Sequence, residues 1–99
     1  MVKNHKQIQE MVDNMYDLFV NKIDSTSTCK DLFEDLFTIQ EIEQIAQRLC
    51  AAEMLLDGAT YLDVIEKTQI SSATLSRVSK CCKYGKGYKK VIQNKKEGI

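Results

Sequence analysis

The sequence contains no proline and no tryptophan, one histidine (His5) and four glycines, and no run of apolar residues approaches the ~18 that a membrane span needs. Each scarcity excludes something. Without proline and with so few glycines, a turn-rich β architecture has little to build its corners from, so helices joined by short connections are expected. A single histidine leaves no histidine–cysteine neighbourhood for nucleophilic or zinc chemistry, and no glycine-rich phosphate cradle or P-loop is present. Carboxylates do gather at Asp31, Glu34 and Asp35, but on a short amphipathic helix they read as a solvated face. The expected class is therefore not an enzyme, with no metal and no cofactor. The segment Met1–Glu10 lacks an apolar signal region, which predicts a cytoplasmic chain with no membrane partner.

What is present is a division of charge. The formal net charge of the 99 residues is zero. Residues 1–57 hold five basic and eleven acidic residues, a net −6, whereas residues 58–99 hold nine basic and three acidic ones, a net +6. A basic half of this kind suits a nucleic-acid face, although two opposed halves could also simply attract each other or a second subunit. The four cysteines, Cys29, Cys50, Cys81 and Cys82, form no C-x-x-C pair. Cys81 and Cys82 point about 100° apart on a helix and are poorly placed to share a metal, so reduced, partly buried thiols are expected. A redox role for Cys81 would be the alternative.

Hydrophobic periodicity organises the whole length as one domain, 1–99, of about six helices and no strand. Ile8, Met11, Val12, Met15, Phe19 and Ile23 recur at three- and four-residue steps and predict a helix over 5–23, its stripe widened by Tyr16 and Leu18. A loop at 24–28 and a short helix from Cys29 to Phe37 follow, the latter burying Leu32, Phe33, Leu36 and Phe37. Thr38 and Glu41 make a capping-box pattern that opens a long helix to Asp57, with Ile42, Ile45, Ala46, Leu49, Ala52 or Glu53, and Leu56 at its spacing. Gly58 suits the left-handed residue that ends it. Residues 5–57 thus read as core and dimerisation helices, since their stripes exceed what so small a bundle needs and a two-fold homodimer would cover the excess.

Residues 60–83 carry the functional signal. Thr60 caps a short helix, with Asp63 three residues on, and Val64, Ile65 and Thr68 face inward. Gln69–Ser71 is the break, with Ile70 tucked beneath it, and Ser71 or Ser72 restarts a helix as N-cap. Leu75, Val78 and Cys82 form its inward stripe, which leaves Ser72, Ala73, Ser76, Arg77, Lys80 and Lys83 outward. A helix with short side chains at its leading end can enter a major groove while bases further along reach phosphates. Residues 84–99 form a basic C-terminal segment: a link over Lys83–Gly87, a last helix from Tyr88 to Gln93 carrying Val91 and Ile92, and frayed residues from Asn94 to Ile99.

The pattern L-F-x-x-L-F-T-x-x-E-x-x-x-x-x-x-R from Leu32 to Arg48, then L-L-x-G at 55–58 and A-T-L-S-R at 73–77, resembles the bacterial tryptophan repressor family, and more closely a tryptophan-repressor-like branch. The likeness covers roughly residues 10–93. It implies an interlocked, all-α two-fold homodimer that binds double-stranded DNA through a helix-turn-helix. By resemblance, Ser72, Ala73 and Ser76 take base-facing positions and Lys83 a phosphate-contacting one. Arg77 lies between DNA and corepressor, and Thr38, Arg48 and Thr74 line the corepressor pocket. With Ser71 and Lys80 from the pattern itself, the DNA-binding set is Ser71, Ser72, Ala73, Ser76, Arg77, Lys80 and Lys83. The ligand-binding set is Thr38, Arg48, Thr74 and Arg77.

Two departures change the ligand expectation. The family glycine after Arg77 is Val78 here, whose isopropyl group intrudes on the slot for a flat indole. The family serine beside the ligand's amino group is Cys81, a weaker hydrogen-bond partner. A sequence-specific regulator, a repressor, is the expected function, with L-tryptophan not its corepressor and any small-molecule corepressor unidentified. The alternative is a helical protein–protein adaptor that keeps the fold without operator binding.

Overall fold

The computed structural model describes residues 4–96, with side chains from Asn4 to Gln93. Six helices account for its regular structure, and no strand occurs among the described residues. The chain divides into two compact units, one ending at Thr38 and the other beginning at Ile39.

The first unit holds α1 (His5–Lys22) and α2 (Thr26–Leu36). Asn4 caps α1 by accepting the Lys6 N–H at 2.8 Å. None of the residues of α1 is buried, although Ile8, Met11, Met15 and Leu18 line up along it. The second helix begins three residues before the expected Cys29, because Ser25 takes the capping role and accepts the Thr28 N–H at 3.1 Å. In the string Asp24–Thr28 several residues can cap, and the most N-terminal serine gains an extra turn of helix. Phe33 lies between Phe19 and Phe37, with ring centroids 6.0 and 5.2 Å away in tilted geometry, so the three rings bind α1 to the end of α2.

The second unit holds α3 (Ile39–Leu56), α4 (Tyr61–Thr68), α5 (Ser72–Tyr84) and α6 (Gly87–Lys96). Its core comprises Ala51, Ala52, Val64, Ile70, Leu75, Val78, Cys82 and Ile92. Ala51 and Ala52 are fully buried, and their small side chains let α4 and α5 approach the axis of α3 closely. The expected stripe on α3 therefore shifts: Ala51 joins Ala52 inside, while Leu49 stays 45% exposed. Leu75 and Val64 are completely enclosed, each worth about 1.5–3 kcal/mol of burial.

The ends of α3 and α5 rest on glycines, for different reasons. Gly58 has φ +94° and its N–H bonds Leu55 O at 3.1 Å, while the Ala59 N–H bonds Met54 O at 3.0 Å. This paired closure satisfies the last carbonyls of α3 and needs a left-handed residue, as the sequence predicts. At Gly85 a β-carbon would sit 2.7 Å from the Cys81 carbonyl oxygen. The link expected over Lys83–Gly87 shrinks to Gly85 and Lys86, since α5 runs on through Tyr84 and α6 starts at Gly87. Lys89 Nζ donates to Lys83 O at 3.1 Å and so caps the end of α5 with positive charge. The last helix also reaches Lys96, beyond the expected Gln93, so residues 94–96, expected to fray, are helical; the rest of the expected fraying, at 97–99, lies outside the described residues.

Candidate nucleic-acid interface

The two short helices and their turn are specified almost residue by residue. Thr60 Oγ1 accepts the Asp63 N–H at 3.2 Å and starts α4. Gln69 ends it in the left-handed conformation (φ +62°), its N–H bonded to Ile65 O at 2.9 Å and its side-chain Nε2 to Glu66 O at 3.0 Å. Thr68, buried, works on both sides of the turn: its hydroxyl donates to Val64 O at 2.7 Å and accepts the Ile70 N–H at 3.2 Å. Ile70 drops into the core at 5% exposure. Ser71, rather than Ser72, then caps α5, with Oγ accepting the Thr74 N–H at 3.2 Å and donating to Thr74 Oγ1 at 2.9 Å.

The two sides of α5 separate as the spacing predicts. Leu75, Val78, Ser79 and Cys82 are buried, and Ser72, Ala73, Ser76, Arg77, Lys80 and Lys83 are exposed with Ser71. Burial of Ser79 adds a small polar residue to the inner face that the apolar stripe alone does not reveal. The outward strip begins with short side chains and ends with cations, and α5 carries no acidic residue. Its N-terminus adds a positive partial charge at the same end as Ser71–Ala73. The arrangement offers backbone N–H groups, hydroxyls and a guanidinium to an anionic surface, and little bulk to keep it away.

Two of the residues expected to hold a ligand come together in the second unit. Arg48 and Thr74 line one polar cavity of about 260 Å³ together with Gln44, Gln47, Ile70 and Ser71. Arg77 is not part of its lining, and Thr38 belongs to the other unit. Val78 is 2% exposed and packed among the core residues. Behind α5, an apolar groove of about 500 Å³ is lined by Leu49, Cys81, Tyr88, Val91 and Ile92. Burial raises the Tyr88 phenol above its ordinary range, helped by Cys81 and Cys82, while the nearby charges of Arg48 and Arg77 pull it down. Burial likewise raises the Cys82 thiol, reinforced by Cys81 and opposed by Lys89. All four cysteines are free, and no group of three or more potential metal ligands occurs among the described residues. No described helix is long and apolar enough to cross a membrane.

Two features of this site were not legible in the pattern. Gln47, inside α3, donates from Nε2 to the Thr68 carbonyl at 3.0 Å, across 21 residues. Tyr88 packs against the core from α6. A glutamine one residue before Arg48 has no periodic signal to mark it, and the aromatic at 88 reads from sequence only as the start of a terminal helix.

Comparison with known proteins agrees with this geometry. A 70-residue stretch, 70% of this chain and 67% of the relative, is 44% identical to the uncharacterized protein YerC of Bacillus subtilis (strain 168). The crystal structure of a TrpR-like protein from Eubacterium eligens ATCC 27750 superposes with a TM-score of 0.82 at 37% identity, over 92% of this chain and 94% of that one. A candidate Trp repressor from Staphylococcus aureus gives a TM-score of 0.83 at 26% identity, over 95% and 96%. The Trp repressor protein family matches residues 4–96, nearly the whole chain. With its helix order, its helix-turn-helix at α4–α5 and these relatives, the protein belongs to the Trp repressor family.

Proposed function

We propose that the protein is a sequence-specific DNA-binding transcriptional regulator, a repressor, that reads the major groove with α5. The observation that carries this reading is the exposed strip Ser72, Ala73, Ser76, Arg77, Lys80 and Lys83 on a helix whose other face is locked into the core. Ser72, Ala73 and Ser76 meet base edges, Arg77 and Lys80 bridge bases and phosphates, and Lys83 fixes register on the backbone. Ser71 leads the helix in, its neighbouring N–H groups directed at phosphate.

The working form is a two-fold homodimer. The apolar stripe of α1, none of whose residues is fully buried within its own chain, supports this, because a second copy can cover Ile8, Met11, Met15 and Leu18. Two reading helices then meet two half-sites about one DNA turn apart. L-tryptophan is not the corepressor, a reading supported by the buried Val78 and by the lining of the cavity that Arg48 and Thr74 share, which does not include Arg77. Chemistry on a substrate has no support from the clusters described.

Electrophoretic titrations against random genomic fragments at moderate salt test the proposal. A reader of DNA enriches a near-palindrome, and its affinity falls steeply with salt, by about 0.9 in the logarithmic slope per phosphate neutralised. A helical adaptor that merely keeps the fold enriches no motif.

A further inference from the structure

We infer that Gln47 is the positioning residue of the helix-turn-helix: it fastens the turn between α4 and α5 onto α3 and so sets the angle at which α5 meets DNA. The inference rests on the proposed DNA reading for its consequence and on α3–turn geometry for its substance.

The Thr68 carbonyl is among the last four of α4, which lack partners inside their own helix. It is part-buried and accepts the Gln47 side-chain amide at 3.0 Å. The other side-chain bonds that build the turn, from Thr68, Gln69 and Ser71, span two to four residues and therefore shape the turn without fixing it to anything else. Gln47 spans 21 and comes from a different helix. Its partner residue is the one whose hydroxyl already holds Val64 O on one side and the Ile70 N–H on the other. A displacement of α3 relative to the turn thus strains a polar bond at the residue where α4 ends and the approach to α5 begins. Apolar contacts such as Ala52 and Val64 resist separation, but they are non-directional and tolerate sliding. A directional bond at the pivot does not. Gln47 is also out of the DNA strip itself, so its effect passes through Thr68 and not through contact with a base.

The test uses the full chain, without added small molecules, in two variants. Gln47→Met keeps length and removes the donor; Gln47→Lys restores a donor at similar reach. Each is titrated against a selected DNA site and a scrambled duplex of equal length, and amide exchange is followed by NMR in the absence of DNA. We expect Gln47→Met to lose about ten-fold affinity for the selected site and less than about two-fold for the scrambled one, since phosphate attraction needs no set angle. Exchange at Ile70–Thr74 should quicken while that of Val64 and Leu75 holds, and Gln47→Lys should stay within about three-fold of the parent on both duplexes. Equal losses on both duplexes, or quickened exchange throughout the second unit, would assign Gln47 to general stability and overturn the inference. Unchanged selection and unchanged exchange in Gln47→Met would overturn it as well. If the parent itself prefers no sequence, the DNA reading fails, and the exchange measurement alone decides whether Gln47 fixes the turn.

Discussion

Ser71 and Thr74 close the start of α5 between them: one hydroxyl takes the Thr74 N–H at 3.2 Å and gives its own proton to Thr74 Oγ1 at 2.9 Å. Removing that hydroxyl leaves an N–H of the first turn without its cap. Ser71→Ala should cost about 1 kcal/mol of stability, seen as a fall of roughly 4–8 °C in Tm. Ser71→Asp, which keeps an acceptor at the helix N-terminus, should hold Tm but weaken DNA binding by adding negative charge beside phosphate. A calorimetric scan paired with a DNA titration separates the two effects.

The outward cations divide into readers and anchors. Arg77→Ala should cost about 1–3 kcal/mol on the selected site and relax base preference, whereas Lys83→Ala should weaken selected and scrambled DNA alike and lower the salt slope by about 1. Equal losses from both changes on both duplexes would refute this division.

Gln69 stands in the left-handed region at φ +62°, where a side chain costs about 1 kcal/mol, and it recovers part of that through its bond to Glu66 O. Gln69→Gly removes the strain and gives up two exposed side-chain hydrogen bonds, the one to Glu66 O at 3.0 Å and a longer one to Ile65 O at 3.5 Å. Thermal unfolding should show a net gain of about 0.5 kcal/mol. A fall in Tm would mean that the side-chain bonds outweigh the backbone strain.

Alkaline pH should lower the stability of the folded chain relative to neutral pH. The folded chain holds the Cys82 proton more tightly than the unfolded chain, so this stabilisation is complete below the ordinary thiol value of 9.0 and declines as pH rises past it. Tyr88 adds a second decline beginning near 10.0. Tm measured between pH 7 and 10.5 should therefore show a drop above about pH 9 that is reduced in Cys82→Ala.

The absence of tryptophan from the sequence makes added L-tryptophan the sole indole fluorophore in a titration. No saturable change is expected up to millimolar concentrations, because Val78 lies inside the core. Saturable binding in the micromolar range would show that the valine yields.

The helix-turn-helix was the most legible part of the sequence, because local rules coincide there. Caps at Thr60 and Ser71, a break at Gln69 and an inward stripe at Leu75, Val78 and Cys82 all specify the same geometry. Gly58 was equally plain, since a left-handed helix end has few alternatives. Elsewhere the local rules compete. The run Ser25–Thr28 offers several caps, and its letters alone do not say that Ser25 is the one that starts α2. On α3 the choice of Ala51 and Ala52 over Leu49 as the buried surface depends on how closely α4 and α5 approach, a tertiary fact. Gln47 is the extreme case: its partner is a backbone carbonyl 21 residues away, and a carbonyl has no letter in the sequence.

Selection of DNA sites in vitro, with the 99-residue chain and a random duplex library at moderate salt, addresses the central claim most directly. The account predicts enrichment of a near-palindrome whose half-site centres lie about 10 bp apart, lost when Ser76 and Arg77 are replaced together by Glu. Enrichment of no motif, or of one unchanged by that double replacement, would contradict it.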